Sequence, residues 1–441
     1  MTSPVQNAPD RAVIIGLYPK DFDGAERSLD ELASLVHAAG GVVVDRVVQR
    51  RGFGDDGPRD RPLDPATHIG RGKVDEVAAL VQEHDLQTAV FDNELSPAQI
   101  RELTKRLGCR VIDRSELILD IFASRARTRA AKLQVELAQL QYTAPRLRGM
   151  WTHLERQAGK GAGGTGGIGT RGPGEQQIEI DRRIVQRRIT LLRQELEQLA
   201  DRRERQVTAR AHRAWSVGLV GYTNAGKSTL LNALTGSDAF TADQLFATLD
   251  TVSRRWEVQP GLAIPLSDTV GFVRDLPHHL VEGFRSTLAE ALHADLLLHV
   301  VDASHPDAVS QVRVVQEVLS DLGVPSERIL GVLNKTDVPV DEQVLTELRS
   351  LLPGAVEVSA RTGRGLDELA RRVAARRSAA WLRVRLRVPH DQARVAAMVH
   401  EQGEVHDGRW DDEGWDADVS VPLSLMPRVS GFVVDGPGAE E

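Results

Sequence analysis

The chain has 441 residues, of which 41% are apolar and 27% charged, a formal net charge of −8 and one cysteine. That length allows about three folded domains, and the composition excludes a disordered chain, while the single Cys109 excludes an intramolecular disulfide and suits a reducing compartment. No run approaches about 18 apolar residues, so no membrane span is expected, and the first eleven residues lack a basic start followed by an apolar core, so a cytoplasmic protein rather than a secreted one is expected.

The first hundred residues alternate strand and helix. Ala12–Gly16 is a short apolar strand, and Arg27–Ala39 places Leu29, Leu32, Leu35 and Val36 at helical spacing before Gly40 and Gly41 end it. Val42–Val48 is β-branched, and 52–65 is a polar Gly/Pro/Asp loop. Gly70-Arg71-Gly72-Lys73 imitates a phosphate loop, but Thr67 stands where the first glycine is required, so it reads as the start of a helix continuing through Glu83. Thr88–Phe91 is a strand, and Ser96-Pro97-Ala98-Gln99 reads as a capping box with proline at the first helical position of a helix ending at Gly108. Such alternation predicts a small α/β domain with a mainly parallel sheet over 1–114. Cys109 lies between a helix end and a strand, where burial is its expected role.

From Ser115 to Ala144 the period is helical, with Leu117, Ile121, Leu133, Leu137 and Leu140 on one side and Pro145 expected to end the helix. A second long helix is expected from about Glu175 to Arg205, because Val185, Ile189, Leu192, Leu196 and Leu199 alternate spacings of four and three, which is a coiled-coil seam. Together they predict an antiparallel hairpin over 115–212. Its link, 159–174, has nine glycines in sixteen residues and is flanked by Arg146, Arg148, Trp151, His153, Arg156, Lys160 and Arg171. Ile121–Arg210 carries 18 Lys and Arg against 9 Asp and Glu, so the rest of the chain stands near −17. A basic segment in an acidic protein, with a tip almost free of side chains, suits close approach to RNA; a flexible linker on a solvated helical surface is the plainer alternative.

The most informative stretch follows. Gly221-Tyr222-Thr223-Asn224-Ala225-Gly226-Lys227-Ser228-Thr229 is a G-x-x-x-x-G-K-[ST] loop between the apolar Val217–Val220 and the helix-like Leu230–Leu234. Strand, glycine loop and helix start form an anion cradle, in which Lys227 reaches the terminal phosphates and the Ser228 hydroxyl holds Mg2+. Asp268-Thr269-Val270-Gly271 ends a second strand; Asp268 sits beyond the metal, and Gly271 offers an N–H to a γ-phosphate without a Cβ in the way. Asn334-Lys335-Thr336-Asp337 follows the strand 329–333, and the acceptor-only carboxylate of Asp337 matches the paired N1–H and 2-amino donors of guanine, which adenine lacks. Ser359-Ala360, with Arg361 after it, follows Val356–Val358 and offers a backbone N–H to guanine O6. Four motifs in this order, each at a strand end, identify a guanine-nucleotide domain over 213–378 in preference to an ATPase. Beyond it, 379–441 reads as a small acidic α/β or α+β domain: strands over 382–388, 418–422 and 432–434, a helix over 394–402, and 12 Asp and Glu against 6 Lys and Arg from Leu382 onward. Glu401, Glu404 and Asp411-Asp412-Glu413 read as solvated surface, and Trp410 and Trp415 as local packing.

In this arrangement the chain resembles the HflX family of ribosome-associated GTPases over nearly its full length. The resemblance is carried by Gly166-Gly167-Ile168-Gly169-Thr170-Arg171-Gly172-Pro173-Gly174-Glu175 with Asp181-Arg182-Arg183, by Phe246-Ala247-Thr248-Leu249-Asp250, and by Asp268–Gly271 continuing through Phe272-Val273-Arg274-Asp275-Leu276-Pro277. Gln176 and Thr251 depart from the family pattern at flanking positions, where Thr and Pro are usual. The resemblance implies a factor that binds GTP and GDP, joins the large ribosomal subunit and its RNA with the hairpin tip, and splits ribosomes, often in stress.

Under that resemblance Thr248 is the switch threonine, sharing magnesium with Ser228 and sensing the γ-phosphate through its backbone, so that both contacts vanish when phosphate leaves. Phe272 stands where related GTPases place a water-orienting Gln, so slow intrinsic hydrolysis is expected, supported by Lys227, Thr248 and Gly271 and completed by another group. The ribosome is one source of that group. Potassium is another, since Asn224 matches the Asn of potassium-stimulated relatives; a purely loop-supporting Asn is the alternative. A GTP-dependent signalling module docking a protein through its coiled coil is the other functional class. A monomer is expected in either case.

Overall fold

The computed structural model describes residues 9–51, 64–158 (backbone alone from 145), 183–199, 215–237, 246, 252–268, 271–274 and 294–435. The chain divides into two compact units, one comprising Met1–Leu196, Asp243–Leu249 and Asp275–Arg285, the other the remainder.

In the first unit a four-stranded parallel sheet has the order β2-β1-β3-β4, formed by β1 (Arg11–Pro19), β2 (Val42–Arg51), β3 (Thr88–Phe91) and β4 (Arg110–Asp113). β1 is buried from Ala12 to Leu17, which explains its unbroken apolar run: a parallel strand covered on both faces has no reason to alternate. Helices α1 (Ala25–Ala38), α2 (Arg71–Glu83) and α3 (Pro97–Leu107) follow the first three strands. The Ser96 hydroxyl accepts from the Gln99 N–H while the Gln99 side chain accepts from the Ser96 N–H, and Gly108 closes α3 at φ 72°, where a side chain would be strained. Cys109 is buried, as expected.

The expected helix from Ser115 to Pro145 is two helices. α4 (Arg114–Arg125) begins at Asp113, whose carboxylate accepts the Glu116 N–H, and stops where Ala126 turns extended. The Thr128 hydroxyl then accepts the Ala131 N–H and opens α5 (Arg129–Ala158). Pro145 does not end α5. An interior proline costs about 3 kcal/mol through its missing N–H and ring clash, a cost opposed here by the burial of Leu133, Val135, Leu137, Ala138 and Tyr142 along the same helix. Helix α6 covers 183–199. Glu136 receives a bidentate pair from Arg188 (2.8 and 2.9 Å), and Arg129 meets Glu195 at 3.4 Å, so α5 and α6 run antiparallel. Ile189 and Leu192 are buried and Val185, Leu196 and Leu199 half-buried, while Arg187, Thr190, Arg193 and Gln194 are exposed: the seam read from the sequence is the packed face.

In the second unit a six-stranded sheet has the order β10-β9-β8-β5-β7-β6. Its strands are β5 (Val217–Gly221), β6 (Val252–Gln259), β7 (Leu262–Asp268), β8 (Leu296–Asp302), β9 (Ile329–Asn334) and β10 (Val356–Glu357). Only the edge pair β6–β7 is antiparallel. Helices α7 (Lys227–Thr235), α8 (Ala308–Asp321), α9 (Glu342–Leu351) and α10 (Leu366–Ala380) accompany it. Leu230, Leu231, Leu369 and Val373 join Leu219, Leu298, Val300 and Val332 in one core, while Ala308, Val312, Leu345 and Leu348 pack with Val301 and Leu333 in another. α10 leads directly into β11 (Trp381–Pro389), the first strand of an antiparallel sheet of order β12-β13-β11-β14, with β12 (Glu404–Trp410), β13 (Gly414–Pro422) and β14 (Val433–Asp435). Helix α11 (Ala393–Gln402) sits between β11 and β12, and α12 (Met426–Val429) before β14, which is a split βαβ arrangement. Arg377 on α10 ion-pairs with Glu404 and lies over the Trp381 ring. β12 was not anticipated from the sequence; Asp411-Asp412-Glu413 is its tight connection to β13.

Candidate nucleotide site

Parallel strands in an open sheet present their carboxyl ends on one edge, where ligands of this architecture sit. Here that edge receives the end of β5, Asp268 from β7, Asp302 from β8, Asn334 from β9 and Ser359 just past β10. Register brings the first two together, since Leu219 stands opposite Asp268.

The phosphate loop is held in a conformation that only its glycines and one asparagine permit. Gly221 has φ 150°, and a Cβ there would lie 2.2 Å from the Val300 carbonyl oxygen; Gly226 has φ 91°, and a Cβ would lie 2.4 Å from the Asn334 amide nitrogen. Asn224, at φ 61°, is exposed at the loop apex, a position Asn tolerates better than most residues. Tyr222, Thr223 and Ala225 are buried, and Thr229 faces outward from α7. Lys227 opens α7, buried, with its ammonium donating to the carbonyls of Gly221 (3.0 Å) and Tyr222 (2.7 Å). Burial pushes its pKa down to about 8, against the opposing pull of Asp268. The Ser228 hydroxyl donates to the Asp268 carboxylate at 2.6 Å. That set of hard oxygen donors beside a phosphate cradle fits magnesium.

Gly271 closes over the loop: a Cβ there would stand 2.8 Å from Thr223 and 2.9 Å from the Lys227 ammonium. Next to it, Phe272 pairs by backbone with the loop, its N–H donating to Gly221 (3.1 Å) and its carbonyl accepting from Thr223 (2.7 Å), and its side chain is buried. The Arg274 N–H donates to the Tyr222 hydroxyl at 2.6 Å.

Asn334 ties two motifs together. Its amide donates to the Ala225 carbonyl (2.9 Å) and its oxygen accepts the Ala360 N–H (3.0 Å), so the phosphate loop and the Ser359-Ala360 loop share one side chain. Lys335, at φ 61°, pairs with Asp302 at 2.7 Å. The Thr336 hydroxyl donates to the Val358 carbonyl at 2.9 Å. Asp337 is exposed, and the Ser359 hydroxyl, followed by the Asp337 N–H, Arg361 and Lys335, holds its carboxyl below the usual carboxylate range, so it is an acceptor at neutral pH. Ser359 is buried, and Arg361 is exposed beside it.

The structure thus gathers residues 221–229, Asp268, Gly271, 334–337 and 359–361 on one edge. Ala247, Thr248, Leu249, Asp250, Thr269, Val270 and the glycine-rich 159–174 lie outside the described residues. Phe246 is described, and it is buried within the first unit. Sequence reasoning missed Asp302, whose only signal is its place at the end of the apolar β8, and His299 within β8. His299 is buried beside Lys227, its Nδ1 has no hydrogen-bond partner among the described residues, and burial and that lysine push its pKa down to about 3.

Comparison with known proteins bears on this geometry. Models of a GTP-binding GTPase N-terminal region, a GTP-binding GTPase middle region and a 50S ribosome-binding GTPase match residues 26–123, 125–210 and 216–335. GTPase HflX of Lacrimispora saccharolytica is 46% identical over 362 residues, 82% of this chain and 81% of that protein. The chain belongs to the HflX GTPase family. GTPase HflX of Escherichia coli is 40% identical over 426 residues, 95% of each chain. A solved GTP-binding protein from Sulfolobus solfataricus in complex with GDP is 24% identical, covering 84% of this chain and 99% of that one, with a TM-score of 0.43. As an HflX GTPase the chain binds guanine nucleotides and hydrolyses GTP. Among the described residues no helix is long and apolar enough to cross a membrane.

Proposed function

We propose that this HflX GTPase acts on the large ribosomal subunit, uses the strand-end edge of its second unit as the GTP site, and dissociates ribosomes under stress. The observation that carries the nucleotide reading is the convergence of Lys227, the Ser228–Asp268 pair and Asn334 around one glycine loop. In this reading the backbone of 221–228 wraps the phosphates and Lys227 neutralises their terminal charge. Asp337 accepts from the guanine N1–H and 2-amino groups, and the loop at Ser359, Ala360 and Arg361 faces O6. The hydroxyls of Ser228 and Thr248 would hold magnesium, which would supply neutralisation of phosphate charge. Gly271 gives its N–H to the γ-phosphate, and Phe246 to Asp250 form the switch segment, with Thr269 and Val270 beside the phosphate in the second switch.

The buried ring of Phe272 supports slow intrinsic turnover, since an apolar side chain packed into the protein cannot orient the attacking water. Supplying a missing polar or cationic element contributes about 10³ to 10⁵ in rate in this chemistry. The 50S ribosome-binding GTPase description of the matching model and the basic surplus of Ile121–Arg210 support the ribosome as its source. Asn224, exposed at the loop apex, supports potassium as an auxiliary ion. GTP turnover with and without purified large subunits, at fixed potassium, magnesium and salt, tests the reading. Strong stimulation is expected. No stimulation with intact nucleotide binding would sink it and move the weight to a protein partner for the coiled coil.

A further inference from the structure

Tyr222 does more than its place in a glycine loop requires. It directly follows Gly221, and its ring is buried. Its carbonyl accepts from the Lys227 ammonium at 2.7 Å, its backbone stands in a parallel bridge with Phe272, and its hydroxyl accepts the Arg274 N–H at 2.6 Å. Any residue offers the first two through its main chain. The third needs a side chain that carries an acceptor oxygen at the far end of a long apolar body, which among the standard residues only tyrosine combines with the burial seen here.

The segment so held is 271–274, within the second unit. Between the pairs Leu219–Asp268 and Tyr222–Phe272 the parallel register differs by one residue, so this segment does not simply prolong β7 along β5 and depends on ties of its own. Its start is fixed by the Phe272 N–H on Gly221 and the Thr223 N–H on the Phe272 carbonyl, with the Phe272 ring buried. At its end two bonds converge on Arg274: the main-chain N–H on the Tyr222 hydroxyl, and the guanidinium on the Ser310 hydroxyl at 3.2 Å. Ser310 is carried by α8, which is anchored by Ala308 and Val312 in the core with Val301 and Leu333. Gly271 is thereby pressed against the phosphate loop, where a Cβ would stand 2.9 Å from the Lys227 ammonium.

We propose that Tyr222 is a positioning residue for GTP hydrolysis: its hydroxyl, by holding the Arg274 main chain, keeps the Gly271 N–H in place over the phosphate loop. The proposal rests on the reading of Gly271 as the donor to the γ-phosphate. A donor already in place needs no reorganisation as charge develops, and a misplacement on the order of 1 Å costs about 10²-fold in reactions that depend on orientation. GDP has no γ-phosphate, so the clamp acts on the triphosphate state alone.

The full chain tests this through single-turnover GTP hydrolysis, affinities for fluorescent GDP and for a non-hydrolysable GTP analogue, and amide hydrogen exchange over 271–274. Tyr222→Phe keeps the buried ring and removes one oxygen. It is expected to lower the hydrolysis rate roughly tenfold and to weaken the analogue, with GDP affinity unchanged and faster exchange over 271–274. A parental rate in this variant would overturn the proposal. So would equal losses of GDP and analogue affinity, which would make Tyr222 a support of the loop and nothing more. Should Tyr222→Phe fail to fold, exchange in the parental protein still decides: the Arg274 amide should be protected, and exchange there at the rate of an open chain overturns the clamp. Gly271→Ala separates the two ideas. If it hydrolyses GTP and binds the analogue normally, the reading of Gly271 fails and the proposal with it. If it is impaired while Tyr222→Phe is normal, only the clamp fails.

Discussion

Lys227 shows how one buried charge sets a pH dependence. Its ammonium is desolvated, and burial lowers its pKa to about 8 although Asp268 pulls the other way. A bound triphosphate favours the protonated form, so nucleotide affinity should fall as pH rises through 8, by up to about tenfold per pH unit. The stability of the nucleotide-free protein moves in the opposite sense. Between about 8 and the ordinary lysine value the unfolded chain binds more protons, so unfolding free energy rises with pH across that window. Fluorescent GDP titrations from pH 7 to 9 check the first statement, and Lys227→Met should bind weakly with a flat profile. At the other end of the site, Asp337→Asn exchanges one acceptor for a donor, which opposes the guanine 2-amino group and suits a base with a carbonyl there. GTP affinity should drop by at least about 10²-fold, while xanthosine triphosphate becomes the better ligand in competition binding. These residues were legible because their chemistry is written in short contiguous motifs. Asp302 was not, because it acts through Lys335, just past the end of the neighbouring strand β9.

At the level of elements, periodicity was the readable signal wherever one face is buried and the other wet. The seam Val185, Ile189, Leu192, Leu196 and Leu199 became the packed face of α6 for that reason. Leu192 is fully buried, whereas Leu191 is 44% exposed. Leu192→Ala should therefore cost about 2–5 kcal/mol, and Leu191→Ala about 0.5 kcal/mol or less. Amide exchange along α5 and α6 checks the contrast, and equal protection in the two variants would remove the seam. Where periodicity was silent, the reading failed. β12 has five consecutive exposed residues, His406–Trp410, held by main-chain pairing to β13, so no apolar alternation announces it. The break between α4 and α5 depends on the Thr128 hydroxyl and an extended Ala126, a local choice hidden inside a continuous helical pattern. Pro145 misled in the opposite direction: a proline's local cost is fixed, but the packing that opposes it is tertiary.

For the whole molecule, the charge distribution separates recognition from chemistry. The basic surplus lies in Ile121–Arg210, while the nucleotide residues lie in a chain that is otherwise strongly acidic. If the basic segment meets ribosomal RNA through its phosphates, binding is an electrostatic event whose strength falls steeply with salt, whereas GTP binding, fixed by a glycine loop and a buried lysine, is less sensitive. Deleting Gly161–Gly169 removes six of the nine link glycines in 159–174 and none of its charged residues. The shortened protein should therefore keep most of its salt-dependent affinity for the large subunit and its intrinsic GTP turnover. What it should lose is the close backbone approach that a nearly side-chain-free segment permits, and with it the ability to separate subunits. Sedimentation of ribosomes after incubation with GTP and either protein distinguishes the roles. Retained binding with lost splitting assigns the acting element to the glycine segment. Unchanged splitting shows that the helices alone suffice, and loss of binding itself makes the glycines part of the RNA contact.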